Sequence, residues 1–101
     1  MENKAKVVPV GSVVRSAAGR DRKRVFVVLG TVGEGSGMRL LTADGALRKV
    51  ASPKVKNPAH VRVIGTLEPE ETEKLGELDD EAVRALIGRF DEAAQNNGRS
   101  R

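Results

Sequence analysis

The sequence predicts a mainly β fold, a small barrel or rolled sheet, followed by a C-terminal helix. Three observations support this prediction. The first 66 of the 101 residues contain short runs rich in Val, Leu and Ile, and turn residues separate these runs. Beyond Leu78, apolar residues recur at the spacing of one helix face. Only Phe26 and Phe90 are aromatic, so the core must be built mainly from aliphatic side chains.

Five short strands are predicted before Thr66. Arg24–Thr31 is the clearest, because its central residues are β-branched, aromatic or aliphatic without interruption. Gly33–Gly37 predicts a flexible hairpin loop, and Asp44-Gly45 predicts a two-residue hairpin. The predicted strands, in chain order, are Pro9–Arg15, Arg24–Thr31, Met38–Ala43, Ala46–Ala51 with an extended continuation at Lys54–Lys56, and His60–Gly65.

The C-terminal helix is predicted to begin after Asp79, whose carboxylate is a suitable N-cap. Asp80 and Glu81 then lie at the positive end of the helix dipole. Leu78, just before the cap, is placed to pack against Val83 as a hydrophobic staple. These residue types in this order are typical of a helix start.

The apolar stripe of this helix is expected to dock on the sheet, because a body of 66 residues with one aromatic side chain is short of core. The alternative is that the stripe binds another protein. Asn96–Gly98 is predicted to end the helix, and a shorter helical turn is predicted near Pro69. The stripe consists of Val83, Leu86, Ile87 and Phe90.

Charge divides the chain into parts of opposite sign. Residues 1–66 contain 13 Lys or Arg and 4 Asp or Glu, a net charge of +9, whereas residues 67–101 contain 5 and 10, a net charge of −5. We therefore divide the chain into a flexible basic N-terminus (1–8), a barrel (9–66), and an acidic linker with an amphipathic helix (67–101). A basic body with an acidic appendage is typical of nucleic-acid binding.

Several classes of function are disfavoured by composition. The chain has no Cys, so disulfides and thiolate zinc sites are excluded. His60 is the only histidine and has no carboxylate or second histidine near it in sequence, so neither a catalytic nor a metal role is expected. No signal peptide or membrane span is visible, and a cytoplasmic protein is expected. We expect no enzymatic activity and no cofactor.

The loop between the first two predicted strands is the strongest candidate site. It contains Arg20, Arg22, Lys23 and Arg24, which we expect to form a phosphate clamp, because guanidinium and ammonium groups match phosphate oxygens. Arg15, on the preceding strand, extends this clamp. The alternative interpretation is a solvated loop whose charges only keep the protein soluble.

Other cations form a weaker set of candidates. Arg48 and Lys49 follow the Asp44-Gly45 turn, and either make a second phosphate contact or lie at the solvent-facing rim. Lys54, Lys56 and Arg62 alternate with apolar residues, which predicts that they share a wet face. The Gly33–Gly37 cluster is rejected as a phosphate loop, because such loops precede a helix and this one precedes a strand.

The absence of Tyr and Trp bears on how a nucleic acid is recognised. Modules that read single-stranded bases use aromatic platforms, and this chain has none to spare. Recognition is therefore expected to depend on phosphates and on RNA shape. The same absence argues against a proline-peptide-binding SH3 function, which needs an aromatic-lined groove.

Three segments together resemble the KOW-domain RNA-binding family of small bacterial proteins, which is related to KOW-type proteins of the large ribosomal subunit. They read Ser16-x-Ala18-Gly19-Arg20-Asp21, Phe26-Val27-Val28, and Ala43-Asp44-Gly45-x-Leu47-Arg48-Lys49-Val50. The resemblance covers roughly residues 10–65 and extends to the helix start. This sequence has Lys23 where the family usually has glycine, and fewer lysines after Lys49.

The resemblance implies an SH3-like β-barrel whose KOW loop contacts RNA, commonly ribosomal RNA. The expected function is thus an RNA-binding protein whose partner is ribosomal RNA or a ribosomal particle. A different class of function remains open at this point: a protein–protein adaptor of the translation or transcription machinery that uses the barrel and the acidic helix. Salt dependence separates the two, because phosphate contacts weaken steeply with salt and apolar contacts do not.

Overall fold

The structure is a computed structural model that describes residues 8–19 and 22–99. Five antiparallel strands form one sheet in the order β4-β3-β2-β1-β5, and two α-helices follow it. The strands are β1 (Ser12–Ser16), β2 (Val25–Val32), β3 (Arg39–Ala43), β4 (Lys54–Lys56) and β5 (Val61–Thr66). The helices are α1 (Pro69–Glu73) and α2 (Asp80–Arg99), and short 3-10 turns occupy Gly35–Gly37, Pro58–His60 and Leu75–Glu77. The predicted mainly β class with a C-terminal helix is confirmed.

Alternation along the strands gives the sheet two apolar faces. Phe26 and Val14 point to one face and are fully buried with Leu40. Val13 and Val27 point to the other face and are equally buried. Both faces are covered, which explains why β1 and β2 are apolar at nearly every position instead of alternating with polar residues.

The sheet is strongly curled. Its edge strands β4 and β5 are joined by only four residues, Asn57–His60, three of which form a 3-10 turn. The edges of a flat five-stranded sheet lie about 19 Å apart, whereas this short, partly coiled connection spans roughly 13 Å. The sheet must therefore bend until its two edges approach. No ladder joins β4 to β5 within the described residues, so the closed barrel stays a prediction.

The helices cover the Val13 face. Val83 and Leu86 of α2 are buried with Val13 and Val27, and Leu78 packs against the same cluster, as the staple predicted. The N-cap is confirmed by the Ala82 N–H, which donates to Asp79 Oδ1 at 2.9 Å. The expectation that the apolar stripe docks on the sheet is thus confirmed.

The far end of the stripe docks through an aromatic ring on glycine. Phe90 is half-buried and lies directly over Gly65 of β5, so closely that a Cβ at Gly65 would overlap the ring. α1 is tied to α2 by Glu71, whose Oε2 accepts from Arg89 Nη1 at 3.0 Å and whose Oε1 accepts from the Glu68 N–H. The Arg89 hydrogen bond is the main reason that the pKa of the Glu71 carboxyl lies below its ordinary value.

Several sequence predictions are wrong in detail. Residues 46–51 form a loop and not a strand, and the fourth strand is the short Lys54–Lys56 segment alone. α2 runs past the predicted stop at Asn96–Gly98 to Arg99. Val8, assigned to the flexible N-terminus, is buried with Phe26, so the packed body begins at least one residue earlier than predicted.

Candidate nucleic-acid interface

The loop between β1 and β2 is held by its backbone. The Ser16 N–H donates to the Arg24 carbonyl, and the Lys23 N–H donates to the Ser16 carbonyl, both at 2.8 Å. Lys23 has a φ of 76°, a left-handed conformation that a non-glycine residue rarely adopts. Arg15 Nη1 donates to the Lys23 carbonyl at 2.9 Å and so braces the turn. The loop is therefore a shaped scaffold for the cations that it carries.

The predicted residues Arg20 and Asp21 lie outside the described residues. Arg22, Lys23 and Arg24 are exposed, as the clamp requires. They do not act as one cluster, however. Arg24 lines one cleft, while Arg22 and Lys23 line another on the opposite side of the loop.

The first cleft, here called the inner cleft, opens on the Phe26 face of the sheet and has a volume of about 540 Å³. Three separate parts of the chain supply its cations: the β1–β2 loop, the β3–β4 loop and β4. Its side chains include Arg24, Arg48, Lys54, Lys56 and His60, together with Leu47, Val55 and Asn57. Residues distant in sequence therefore meet at one anion-attracting surface.

Lys56 forms the floor of the inner cleft and corrects the predicted wet face. Its side chain is 7% exposed, and its Nζ donates to Ser16 Oγ at 3.3 Å. The same Nζ lies 5.1 Å from the centroid of the Phe26 ring, a cation–π geometry. Alternation fails as a predictor here because β4 bends over the sheet, so its inward position carries a lysine where an apolar residue is usual.

The loop between β3 and β4 is organised by Asp44. Its Oδ1 accepts from the Ala46 N–H at 2.9 Å and from the Arg48 N–H at 2.8 Å, which makes an Asx-type turn and not the predicted two-residue hairpin. Its Oδ2 lies 3.7 Å from Arg24 Nε. Asp44 thereby sets the position of both arginines of the inner cleft, since it fixes the backbone of one and pairs with the side chain of the other.

Helix α2 anchors the same loop from behind. Asp80 Oδ1 accepts from the Val50 N–H at 2.7 Å, and Arg84 Nη1 donates to the Gly45 carbonyl. Gly45 has a φ of 78°, and a Cβ there would overlap the Asp80 carbonyl oxygen. Only glycine lets the loop approach the helix this closely.

The second cleft, here called the outer cleft, lies on the other side of the β1–β2 loop and has a volume of about 410 Å³. Its cations are Arg15, Arg22, Lys23 and Arg62. Arg15 and Arg62 are direct partners across the β1–β5 ladder. Like charges placed directly opposite each other destabilise a sheet, so this pair is more easily explained by a bound anion than by folding.

Neither cleft is lined by a carboxylate among the described residues. Of the predicted site residues, Arg24, Arg48, Lys54 and Lys56 meet in the inner cleft, and Arg15, Arg22 and Lys23 meet in the outer one. Lys49 is exposed and lines neither.

Sequence reasoning left two residues out of the site, His60 and Arg62. Both lie beside the 3-10 turn that returns the chain to β1, and only the strand pairing brings them to the loop. The alternating pattern around Arg62 was visible in the sequence, but the strand order that places it beside Arg15 was not.

The described residues contain no group of three or more His, Cys, Asp or Glu side chains placed to bind a metal ion. Across the same parts of the chain, no helix has both the length and the hydropathy needed to cross a bilayer. The chain matches no protein-family model and no curated protein.

Proposed function

We propose that this protein binds structured RNA through phosphate contacts from the β1–β2 loop and the two clefts beside it, with ribosomal RNA or a ribosomal particle as the leading partner. The supporting observation is the convergence of eight cations at one end of the sheet, four in each cleft, with no described carboxylate lining either. Such a surface attracts a polyanion and suits Arg–phosphate geometry.

Solvent-exposed charge alone does not explain this arrangement. Lysines and arginines that serve solubility are dispersed over a surface, whereas here Lys56 is buried at a cleft floor and Arg15 faces Arg62 across a ladder. Both placements cost stability without an anion. Selection for binding is the simplest reason to keep them.

The scaffold that we propose is an SH3-like barrel of the KOW type. The curled sheet supports this, since Lys56 of β4 reaches Ser16 of β1 although two strands lie between them in the sheet order. Lys23 supports it as well, because it adopts a left-handed conformation at the position where the KOW family usually has glycine. The proposed role is non-enzymatic and uses no cofactor.

RNA shape, and not base sequence, is the proposed basis of recognition. The Phe26 ring is fully buried beneath Lys56, so it offers no stacking platform. Contacts to the backbone of a folded RNA remain, as the cations of both clefts predict.

The adaptor alternative rests on a groove of about 280 Å³ between α1 and α2, lined by Leu78, Ala82, Ala85 and Leu86 and flanked by charged residues. The deeper part of the helix stripe is already used to cover the sheet. A partner would therefore contact only the outer side of the helix pair.

The test is a salt titration of RNA binding with charge-matched variants. Replacing Arg22 and Arg48 by Gln removes one cation from each cleft, and we expect weaker binding and a log–log salt slope flatter by about 1.4. Replacing Arg39 and Lys74 by Gln removes the same charge from outside both clefts. If the two double variants behave alike, binding is non-specific attraction and the proposed clefts are wrong. Binding of a protein partner that is insensitive to salt would favour the adaptor.

A further inference from the structure

The inner cleft has an apolar rim that phosphate binding does not need. Leu47 is 67% exposed and Val55 is 55% exposed, and these are the two most exposed large apolar side chains of the described residues. Both line the inner cleft, whereas the outer cleft has no such side chain. Exposed apolar groups beside a set of cations match a ligand that has both a charged and a flat apolar part.

The size of the inner cleft also exceeds what a phosphate contact requires. Its volume of about 540 Å³ lies within the range of roughly 300–1,000 Å³ that is typical of small-molecule sites. A phosphate that touches an arginine on a surface needs no concavity. A whole nucleotide, with its phosphate, sugar and base, does.

We propose that the inner cleft holds one unpaired nucleotide extruded from the bound RNA, an inference that rests on the proposed function. The phosphate contacts Arg48 and Lys54, and the base lies between the side chains of Leu47 and Val55. A base within an A-form duplex offers only its edge, so a base must leave the stack before it enters the cleft.

The polar groups around the cleft determine how selective this subsite is. Asn57 Oδ1 is already used, because it accepts from the Ala59 N–H at 2.9 Å. The remaining polar groups near the base are the Asn57 amide nitrogen and the exposed His60 ring. Aliphatic walls contact any base through its face, so we expect the subsite to select an unpaired nucleotide while tolerating different bases.

The experiment compares two RNA hairpins that differ by a single-nucleotide bulge, measured by fluorescence anisotropy with the full chain. Wild type should bind the bulged hairpin about tenfold more tightly, consistent with the usual strength of base contacts. The double variant Leu47→Ala, Val55→Ala should bind both hairpins equally, at the wild-type affinity for the paired one. Both side chains are largely exposed, so the fold should be retained. Val32→Ala is the matched control, because Val32 is 46% exposed on β2 and lines neither cleft.

The outcomes separate this inference from the proposed function. If wild type binds the two hairpins equally, or if the double variant loses affinity for both in the same proportion, the nucleotide subsite is wrong. In either case a steep salt dependence still supports phosphate binding. If wild type shows no salt dependence with either hairpin, the proposed function itself is overturned.

Discussion

The contact between Phe90 and Gly65 provides a direct test of how α2 is docked. The Cβ of an alanine at Gly65 would overlap two carbons of the Phe90 ring, and the three nearest atoms that it would meet all belong to that ring. Gly65→Ala should therefore destabilise the protein through Phe90 alone. The two residues form a natural double-mutant cycle.

The magnitudes follow from the packing. Forcing a methyl group into a filled contact costs about 1–3 kcal/mol, so we expect Gly65→Ala to lower the free energy of unfolding by about 2 kcal/mol. Phe90→Ala should also cost about 2 kcal/mol, less than for a fully buried aromatic, because Phe90 keeps some exposure. Once the ring is removed, Gly65→Ala should cost nothing, or stabilise slightly by restricting the unfolded chain. The expected coupling is about 2 kcal/mol.

The assay is urea unfolding of the wild type, both single variants and the double variant, with thermal unfolding as a second measurement. For a domain of this size, 1 kcal/mol shifts Tm by about 4–8 °C. If the effects of the two substitutions add within about 0.5 kcal/mol, the ring does not lie on Gly65 and the docking described above is incorrect.

Three further predictions concern single residues. Lys23→Gly should raise the free energy of unfolding by about 1 kcal/mol, because it relieves a left-handed lysine, yet it should weaken RNA binding; opposite signs in urea unfolding and RNA titration would confirm both, and unchanged stability would contradict the loop conformation. Gly45→Ala should cost about 2–3 kcal/mol in thermal unfolding, since the new Cβ meets the Asp80 carbonyl at a positive φ; a neutral substitution would contradict that contact. By carboxyl NMR, Glu71 should titrate below its ordinary 4.5, and Arg89→Gln should raise the midpoint. The stability that this pair contributes is present above pH 4.5 and is lost as the pH falls through the lowered pKa, so an unmoved midpoint would contradict the ion pair.

Local features of the fold were predictable because short-range rules determine them. The β2 run and the capped start of α2 at Asp79 follow from residue types and spacing alone. The loop at residues 46–51 was mistaken for a strand because Asp44-Gly45 is a common hairpin signal. Here Asp44 instead accepts two backbone N–H groups, and its loop is held by Asp80, a residue 30 or more positions away. No local pattern contains that contact.

The sequence by itself determined that the chain carries its positive charge before Thr66, has no thiols and no aromatic platform, and forms strands followed by a helix. Only the tertiary structure decided how the cations are grouped. The curl of the sheet brings β4 over β1 and buries Lys56 beneath a cleft, while the β1–β5 ladder sets Arg62 against Arg15. Strand order and curvature depend on contacts between residues far apart in the chain, which residue spacing does not encode. The division of one basic loop between two clefts is a consequence of that long-range pairing.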